Sequence, residues 1–403
     1  MRVRNKNVFG KEWLAWEDPD VPEFFNPTNF ILDKHLVTEK AKEIALVVDE
    51  ERFSYEEFLG QVCRASNGLQ ALRVETGSKL LLFGTDSLEF LAIWFGAIRS
   101  GIVPVVVSDA YKAIGLLYFL RDTAAKSLFI DAEQTGKLRE IIEDIPWTLQ
   151  NVIVRGSTVD FAPESGDRNT VTYDEMVEGN SQTFLPVPLH HNDVAYMFYS
   201  GGTTGPAKGI THLAHDFCLV PERHGAFLEY RSDDIVHATS KKYFTHGIWP
   251  AVLIPFYFGA TSVISRLPPT AENVIKVIEA TKPNKLITVP TIIKNILLFS
   301  DQNHLPDFSS LNLVTSASEK MPPEIFERFE KLFGIEILDS IGSSEITYEW
   351  IANRPKEFRR GSLGKPVFGY DVKLMDDDGN EVTSPNSDGE AWIGSRTTCF
   401  YYW

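Results

Sequence analysis

The sequence predicts an α/β fold in which helices cover both faces of mostly parallel sheets. Short apolar runs recur along the chain, and most are continuously apolar, which is typical of strands buried on both faces. Helical patterns separate these runs, and this alternation favours parallel strands joined by crossover helices. We therefore expect two sheet-containing lobes, at about residues 1–170 and 171–358, and a small β subdomain over 359–403.

The first lobe begins with a predicted hairpin, formed by residues 43–48 and 52–54. Ser54 and Glu57 have the spacing of a capping box, and apolar residues then recur every three or four positions up to Leu72, which predicts a helix. Strands are predicted at 79–83, 102–107 and 127–130, with helices near 88–99 and 114–123. The polar stretch 156–169 is interpreted as an exposed connection to the second lobe.

The second lobe repeats this arrangement. Its predicted strands are 194–198, 235–238, 261–264, 285–289, 311–315 and 335–338, and its predicted helices lie near 271–281 and 322–333. From residue 359 the pattern changes to short alternating runs with turn signals, which indicates the small β subdomain.

The charge balance limits the possible partners. Fifty-five acidic and thirty-nine basic residues give a formal charge of −16, which disfavours broad contact with nucleic acid or an anionic membrane surface. No apolar run approaches the ~18 residues of a membrane span, and the amino terminus lacks the apolar core of a signal peptide. We expect a cytoplasmic protein with small-molecule partners.

The stretch from residue 199 to 209 has the composition of a phosphate-binding loop and reads YSGGTTGPAKG. It follows the predicted strand 194–198. Its glycines permit backbone dihedrals and close approach that a Cβ would forbid, so that N–H groups can point at an anion. Lys208 stands between Ala207 and Gly209, so the loop is not the P-loop of kinases and GTPases. The candidate phosphate-binding residues are Ser200, Gly201, Gly202, Thr203, Thr204, Gly205 and Lys208.

Four motifs in order resemble those of the adenylate-forming enzymes, which include acyl- and aryl-CoA ligases, peptide-synthetase adenylation domains and luciferases. They lie at 199–209, 315–321 (TSASEKM), 339–345 (DSIGSSE) and 361–370 (GSLGKPVFGY). Segments 25–36, 289–297 and 401–403 look most similar to benzoate-CoA ligases. The loop departs from the family pattern at Gly201, where serine is usual, and at Pro206-Ala207, where the order is reversed.

The resemblance implies ATP-dependent activation of an aromatic carboxylic acid, of the benzoate or amino- or hydroxybenzoate type, to acyl-AMP and then to a CoA thioester. It implies catalytic roles for Lys208, Thr203, Thr204, Glu345 and His246, with Mg²⁺ at Glu345 and Thr204. The residues expected to bind nucleotide and the acyl end are Ser316, Ala317, Ser318, Glu319, Asp339, Ser340, Ile341, Gly342, Ser343 and Ser344. The residues expected to line the acid pocket are Tyr243, Phe244, Thr245, His246, Gly247, Ile346 and Tyr348.

Several alternatives stay open. The chain could pass acyl-AMP to a carrier protein instead of CoA, or it could bind nucleotide without turnover. The family has a further C-terminal lid domain with a catalytic lysine. We therefore expect this chain to be the N-terminal portion of a longer enzyme and to have little activity alone. A homodimer is the assembly we expect. His212 and His215 stand three apart without a third ligand in view, so we expect polar histidines near a helix start rather than a metal pair.

Overall fold

The computed structural model describes residues 4–6, 12–14, 16–157, 168–201 and 205–403 of the chain, with side chains described from residue 16 onward. The strands, in chain order, are β1 Arg4–Lys6, β2 Glu12–Leu14, β3 Phe24–Phe25, β4 Ile44–Val48, β5 Glu51–Ser54, β6 Lys79–Phe83, β7 Val103–Val106, β8 Ser127–Asp131, β9 Asn151–Arg155, β10 Asn169–Thr172, β11 Leu189–His190, β12 Val194–Tyr199, β13 Gly209–Leu213, β14 Ile235–Ala238, β15 Thr261–Ile264, β16 Lys285–Thr288, β17 Leu313–Ser316, β18 Ile337–Gly342, β19 Glu349–Ala352, β20 Lys365–Pro366, β21 Asp371–Met375 and β22 Glu390–Gly394.

The α-helices, in the same order, are α1 Lys34–Leu36, α2 Tyr55–Ala71, α3 Leu88–Arg99, α4 Ala113–Thr123, α5 Thr135–Glu140, α6 Tyr173–Val177, α7 Asp216–Phe227, α8 Thr245–Ile248, α9 Ile254–Phe258, α10 Ala271–Thr281, α11 Pro290–Gln302 and α12 Pro323–Phe333. Shorter 3₁₀ and π-helical turns lie at Asn29–Asp33, Glu39–Lys42, Ala132–Gln134, Ile142–Asp144, Trp249–Leu253 and Ser344–Ile346. Among the described residues, no helix combines the length and apolar character needed to cross a membrane.

Two large sheets carry the fold. The first has the order β10-β9-β8-β6-β7-β12-β13 and is parallel except for the last pair. The second has the order β20-β19-β18-β17-β16-β14-β15-β4-β5, with its central strands parallel and antiparallel pairs at both edges. The predicted α/β fold class is confirmed.

Successive side chains of a buried strand point into different cores. Leu80 and Leu82 of β6 pack in a core shared by both sheets, whereas Leu81 and Phe83 pack in a second core on the outer face of the first sheet. A third core covers the outer face of the second sheet under α10, α11 and α12. Strands buried on both faces explain why the apolar runs are continuous in the sequence.

Helices α2 and α3 fill the space between the sheets. The predicted capping box is present, because the Ser54 hydroxyl accepts from the Glu57 N–H and the Glu57 carboxylate accepts from the Ser54 N–H. A Cβ at Gly96 of α3 would lie 3.0 Å from the Ala65 Cβ and 3.1 Å from the Ser66 nitrogen of α2. Glycine therefore lets these two helices approach closely.

The chain crosses between the sheets in a way that the sequence did not indicate. Strand β12 was expected in the sheet of the second lobe, but it pairs with β7 and β13 in the first sheet. The hairpin β4–β5 was expected in the first lobe, but β4 pairs with β15 of the second sheet. Both errors have one cause, since sheet membership depends on backbone pairing between segments distant in sequence.

The predicted connection 156–169 does not lead to the second sheet. Residues 158–167 lie outside the described residues, but the connection ends in β10, which pairs in parallel with β9 at the edge of the first sheet. Near the carboxyl end of the chain, β21 and β22 form the antiparallel pair that the alternating runs predicted. Strand β20 instead extends the second sheet.

Candidate functional site

The glycine-rich loop closes a hairpin between β12 and β13. Tyr199 pairs with Gly209, and the Ser200 N–H donates to the Lys208 carbonyl at 3.0 Å. The Ser200 hydroxyl in turn accepts from the Lys208 N–H at 2.9 Å. The remaining predicted members of this loop, Gly202, Thr203 and Thr204, lie outside the described residues.

Gly201 and Gly205 border open space. An added Cβ at either position would meet no protein atom within 4 Å, and neither residue has a φ in the left-handed region. Their backbone dihedrals therefore do not require glycine. From the sequence we expected both unusual dihedrals and close approach at these glycines, and the first expectation is wrong for Gly201 and Gly205. Close approach of a group outside the protein is the remaining physical reason for glycine here.

Lys208 and Glu345 lie on either side of Tyr402. The Lys208 Nζ is 5.1 Å from the centre of the Tyr402 ring, and the Tyr402 hydroxyl donates to the Glu345 Oε1 at 3.1 Å. Tyr402 is held there because residues 400–403 run antiparallel beside β13, with the Trp403 N–H donating to the Gly209 carbonyl at 2.7 Å. The structure thus brings two predicted catalytic residues, 137 positions apart in the sequence (345 minus 208), to one tyrosine.

A strained turn follows Glu345. Thr347 has φ 73° and ψ −53°, a rare γ-turn conformation that a β-branched residue adopts at a cost of about 1–3 kcal/mol. This turn sends the chain back along β18, where Gly342 faces Glu349 in the ladder. A Cβ at Gly342 would lie 2.3 Å from the Tyr348 carbonyl oxygen, so close packing requires glycine at this position.

The turn that carries Glu345 is tied to two neighbouring elements. His212 of β13 contacts the Ser344 carbonyl through Nε2 at 2.7 Å and the Asp216 carboxylate through Nδ1 at 3.0 Å. The Thr245 hydroxyl lies 3.3 Å from the Ser344 hydroxyl. His212 therefore joins the phosphate-loop hairpin to the predicted metal motif rather than forming a metal pair with His215.

The predicted aromatic wall lies next to the phosphate loop. A cleft of about 330 Å³ is lined by Ser200 and Gly201 on one side and by Tyr243 and Phe244 on the other. Phe244 is half exposed, whereas Ile346, predicted for the same pocket, packs in the core between the sheets. A Cβ at Gly247 would lie 2.1 Å from the Lys241 carbonyl oxygen, so glycine shapes this loop.

His246 is neutral and has one nitrogen without a hydrogen-bond partner. Its Nδ1 lies 3.0 Å from the Ser240 hydroxyl, and its Nε2 is buried without a hydrogen-bond partner. Burial lowers the His246 pKa to about 4. The ring lies 6.0 Å from that of Tyr348, another predicted pocket residue.

Several other buried polar atoms near Tyr348 lack a partner. The Tyr348 hydroxyl lies beside the Glu349 carboxyl and the Thr315 hydroxyl, but none of these pairs has hydrogen-bond geometry. Buried polar atoms are hydrogen-bonded in the great majority of folded proteins. The unpartnered atoms are His246 Nε2, Thr315 Oγ1, Ser316 Oγ, Asp339 Oδ1, Tyr348 OH and Glu349 Oε2. This concentration at one edge of the sheet is the chemistry expected of a ligand site.

The predicted nucleotide segments meet at the carboxyl ends of β17 and β18. Ser316 pairs with Asp339 in the ladder, and the Asp339 side chain borders a small cavity of about 60 Å³ with Met321 and Asn353. Burial raises the Asp339 pKa to about 6.

The other predicted members of these segments have varied surroundings. Ala317 is buried, and Ser318 has a positive φ of 72°. Glu319 is directed toward α11, where its carboxylate accepts from the Thr291 hydroxyl at 2.6 Å. In β18, Ser340 points to Glu349, and Ile341, on the opposite face by strand alternation, packs at the edge of the core. Ser343 occupies the N-cap position of the turn that holds Glu345, without a side-chain capping hydrogen bond.

Glu349 is the main residue of the site that the sequence did not indicate. Its side chain is fully buried, and its Oε1 lies 2.7 Å from the Ser340 hydroxyl. Burial raises the Glu349 pKa to about 7. In the sequence, Glu349 is a single acidic residue directly before the apolar run Trp350 to Ala352. The alternation of side chains along a strand does not tell which face is buried, so the sequence did not show that Glu349 points inward.

Comparisons with known proteins agree with this geometry. The family model described as AMP-binding enzyme matches residues 34–403. A benzoate-CoA ligase of Thauera aromatica is 27% identical over 387 residues, covering 95% of this chain and 71% of that protein. A 4-hydroxybenzoate-CoA/benzoate-CoA ligase of Rhodopseudomonas palustris is 30% identical over 381 residues, covering 94% of this chain and 68% of that protein.

Solved structures give the same result. The anthranilate CoA ligase AuaEII in complex with anthranoyl-AMP superposes with a TM-score of 0.88 at 30% identity, covering 95% of this chain and 72% of that one. A benzoate CoA ligase from Burkholderia xenovorans LB400 superposes with a TM-score of 0.84 at 25% identity, covering 94% and 73%. The chain belongs to the AMP-binding enzyme family, and the resemblance to benzoate-CoA ligase-type enzymes is confirmed.

The raised pKa of Glu349 predicts a pH-dependent stability. A glutamate loses its proton near pH 4.3 in the unfolded chain and near pH 7 in the fold, so the folded protein holds one more proton between these values. The free energy of unfolding should therefore fall as pH rises through this window, by on the order of 2–4 kcal/mol relative to Glu349→Gln. Urea unfolding of both proteins at pH 4.5, 5.5, 6.5 and 7.5 measures the difference. Glu336→Gln, at an exposed glutamate directly before β18, is the control, and parallel pH profiles for all three proteins would contradict the prediction.

Proposed function

We propose that this chain activates an aromatic carboxylic acid with ATP, forming acyl-AMP and pyrophosphate, and then transfers the acyl group to the thiol of CoA. Such an enzyme is an acid-thiol ligase. The relatives supporting this proposal are named as CoA ligases of benzoate, hydroxybenzoates and anthranilate. Action in the cytoplasm, where ATP and CoA are available, and assembly as a homodimer remain predictions.

One observation carries the proposal. The loop with Lys208 and the turn with Glu345 meet at Tyr402, and the aromatic loop with Tyr243 and Phe244 borders the same phosphate loop. A cation, a carboxylate and an aromatic cleft are thus adjacent at the edge of an α/β sheet where such folds bind ligands. Acyl-adenylate formation needs these three features together, because the acid itself is the nucleophile and the protein stabilises charge.

Lys208 is suited to hold phosphate. Its side chain is exposed, and the Lys208 N–H is already used in closing the loop. The free ammonium offers a positive charge to the β- and γ-phosphates, together with N–H groups from the open glycine positions. This positive charge is a local exception in a protein whose net charge is −16.

Glu345 is suited to hold Mg²⁺. Its carboxylate is a hard oxygen donor, and it is half-buried in a turn that two side chains anchor. Magnesium in nucleotide sites takes one or two carboxylates and completes its shell with phosphate oxygens and water. Glu345, with the Thr204 hydroxyl as the predicted second donor, fits this pattern, and the bound ion would neutralise charge on the phosphates.

The side chains around the site favour an aromatic acid over a fatty acid. Tyr243 and Phe244 line the cleft beside the phosphate loop, and the His246 ring lies 6.0 Å from that of Tyr348. Tyr348 and Glu349 are buried with free polar atoms. A flat ring buries its apolar surface in such a slot at ~25 cal/mol per Å². A long alkyl chain would leave the polar atoms unpaired.

The test is acid-dependent pyrophosphate release by the purified protein, with benzoate, hydroxy- and aminobenzoates, octanoate and decanoate. We expect an aromatic acid to give the highest kcat/KM. CoA thioester formation is followed by mass spectrometry in the same reactions, and acyl-AMP that accumulates without thioester would favour a carrier-protein acceptor. A fatty acid that outpaces every aromatic acid would rule out the slot.

Lys208→Ala should weaken nucleotide binding without unfolding the protein. A hydrogen bond to a charged group contributes ~1.5–3 kcal/mol, so the Kd for a non-hydrolysable ATP analogue should rise at least tenfold. Calorimetry measures the Kd, and Lys276→Ala, an exposed lysine on α10, serves as the matched control. Equal Kd values for the wild type and Lys208→Ala would remove Lys208 from the site.

Glu345→Gln keeps the size of the side chain and removes the charge that Mg²⁺ prefers. Loss of even an outer-shell partner costs ~10-fold in metal affinity, so the Mg²⁺ concentration needed for half-maximal binding of the ATP analogue should rise by at least this factor. Glu336→Gln is again the control. If the Mg²⁺ titrations of both variants overlay that of the wild type, Glu345 has a structural role only.

A further inference from the structure

A chain of hydrogen bonds favours the protonated form of Glu349. The Ser340 hydroxyl lies 2.7 Å from Glu349 Oε1 and 3.1 Å from the Ser316 carbonyl oxygen. A serine hydroxyl has one proton and can donate it to one of them only. An ionised Glu349 competes with the Ser316 carbonyl for this one proton. If Glu349 is protonated, its O–H donates to Ser340, and Ser340 donates to Ser316, so every contact is satisfied.

The second carboxyl oxygen takes no part in this chain of hydrogen bonds. In the protonated form Oε2 is a carbonyl oxygen, fully buried and without a partner. The Tyr348 hydroxyl and the Thr315 hydroxyl beside it are also buried and unpartnered. All three side chains are at most 2% exposed, so bulk water does not satisfy these atoms.

We propose that Glu349 acts as a neutral carboxylic acid whose free carbonyl oxygen accepts a hydrogen bond from an amino or hydroxyl group on the ring of the substrate. The neighbouring Tyr348 and Thr315 hydroxyls are further hydrogen-bonding groups for that substituent. The inference rests on the proposed function, because it assigns a specificity-determining residue within the acid site.

The chemistry selects a neutral hydrogen-bond donor. An aryl amine or a phenol is uncharged at neutral pH, and its N–H or O–H can donate a hydrogen bond to the buried carbonyl oxygen of Glu349. An unsubstituted ring leaves that carbonyl unpaired, and a site built to hydrogen-bond a group discriminates strongly against the analogue that lacks it. A ring carboxylate or ether offers no donor and gains nothing from Glu349.

The first experiment uses the wild-type chain and needs no variant. Calorimetry measures the Kd of non-hydrolysable acyl-AMP mimics that carry benzoyl, 2-, 3- and 4-aminobenzoyl, 2-, 3- and 4-hydroxybenzoyl and octanoyl groups. We expect at least one amino or hydroxyl isomer to bind tenfold or more tightly than the benzoyl mimic. Equal binding of all the aromatic mimics, tighter than the octanoyl mimic, would keep the proposed function and overturn this inference. If no aromatic mimic binds more tightly than the octanoyl mimic, both proposals fail.

Two substitutions then identify the acceptor. Glu349→Gln reproduces the protonated acid, because its amide N–H can donate to Ser340 while its carbonyl faces the ligand, so selectivity for the substituted mimic should stay within about threefold of the wild type. Glu349→Leu removes the acceptor, so the affinity ratio between substituted and unsubstituted mimics should fall toward one. Glu336→Leu, at an exposed glutamate directly before β18, controls for loss of a glutamate elsewhere in this sheet.

Two results would overturn the role of Glu349. An unchanged affinity ratio in Glu349→Leu would mean that the carboxyl only holds β17, β18 and β19 together. A ratio lost in both Glu349→Gln and Glu349→Leu would mean that an ionised carboxylate is the recognising group. If Glu349→Leu does not fold, Glu349→Met, which also lacks the carbonyl oxygen, takes its place in this comparison.

Discussion

A buried ion pair holds the loop that carries Tyr243 and His246 in place. Asp86 follows β6 of the first sheet, and Lys242 lies in the loop after β14 of the second; their side chains are 3% and 1% exposed, with Nζ 3.4 Å from Oδ2. Asp86 also accepts from the Lys242 N–H at 2.9 Å, and the ammonium donates to the Ser240 carbonyl at 3.0 Å. Moving two charges out of water costs several kcal/mol per ion. The ion pair and its hydrogen bonds offset that cost only while both side chains keep this geometry. The loop with Tyr243 and His246 therefore keeps one position relative to both sheets.

The site has a charged side and a neutral side. Lys208 and Glu345 occupy the solvent-accessible side, where phosphates and a cation would be handled. On the buried side, desolvation disfavours charge: it lowers the His246 pKa to about 4, raises that of Glu349 to about 7 and raises that of Tyr348 well above 10. A neutral, hydrogen-bonding interior suits the ring of an acid, whereas the charged side suits its reaction with ATP. The difference in burial thus separates the residues suited to recognise a ring from the residues suited to stabilise charge on phosphate.

Local patterns predicted the strands β4–β8, β12 and β14–β18 and the helices α2, α3, α4, α10 and α12, but not α7, α11, β9 or β13. The capping box at Ser54 begins α2, and the predicted strands and helices agree with the structure to within a few residues at their ends. The glycine-rich loop, the Glu345 motif and the aromatic loop were each found from composition and motif order. These features depend on residues close in sequence, where propensity and short-range hydrogen bonds act directly.

The sequence by itself determined the fold class, the family and the candidate catalytic residues, because buried strands and the phosphate loop leave local signatures. Only the tertiary structure decided that β12 belongs to the first sheet and the β4–β5 hairpin to the second, that Tyr402 stands between Lys208 and Glu345, and that Glu349 faces inward with a free oxygen. Each of these depends on contacts between segments distant in the chain. Burial and the pKa shifts it causes are properties of that packing, and a period-two strand pattern does not contain them.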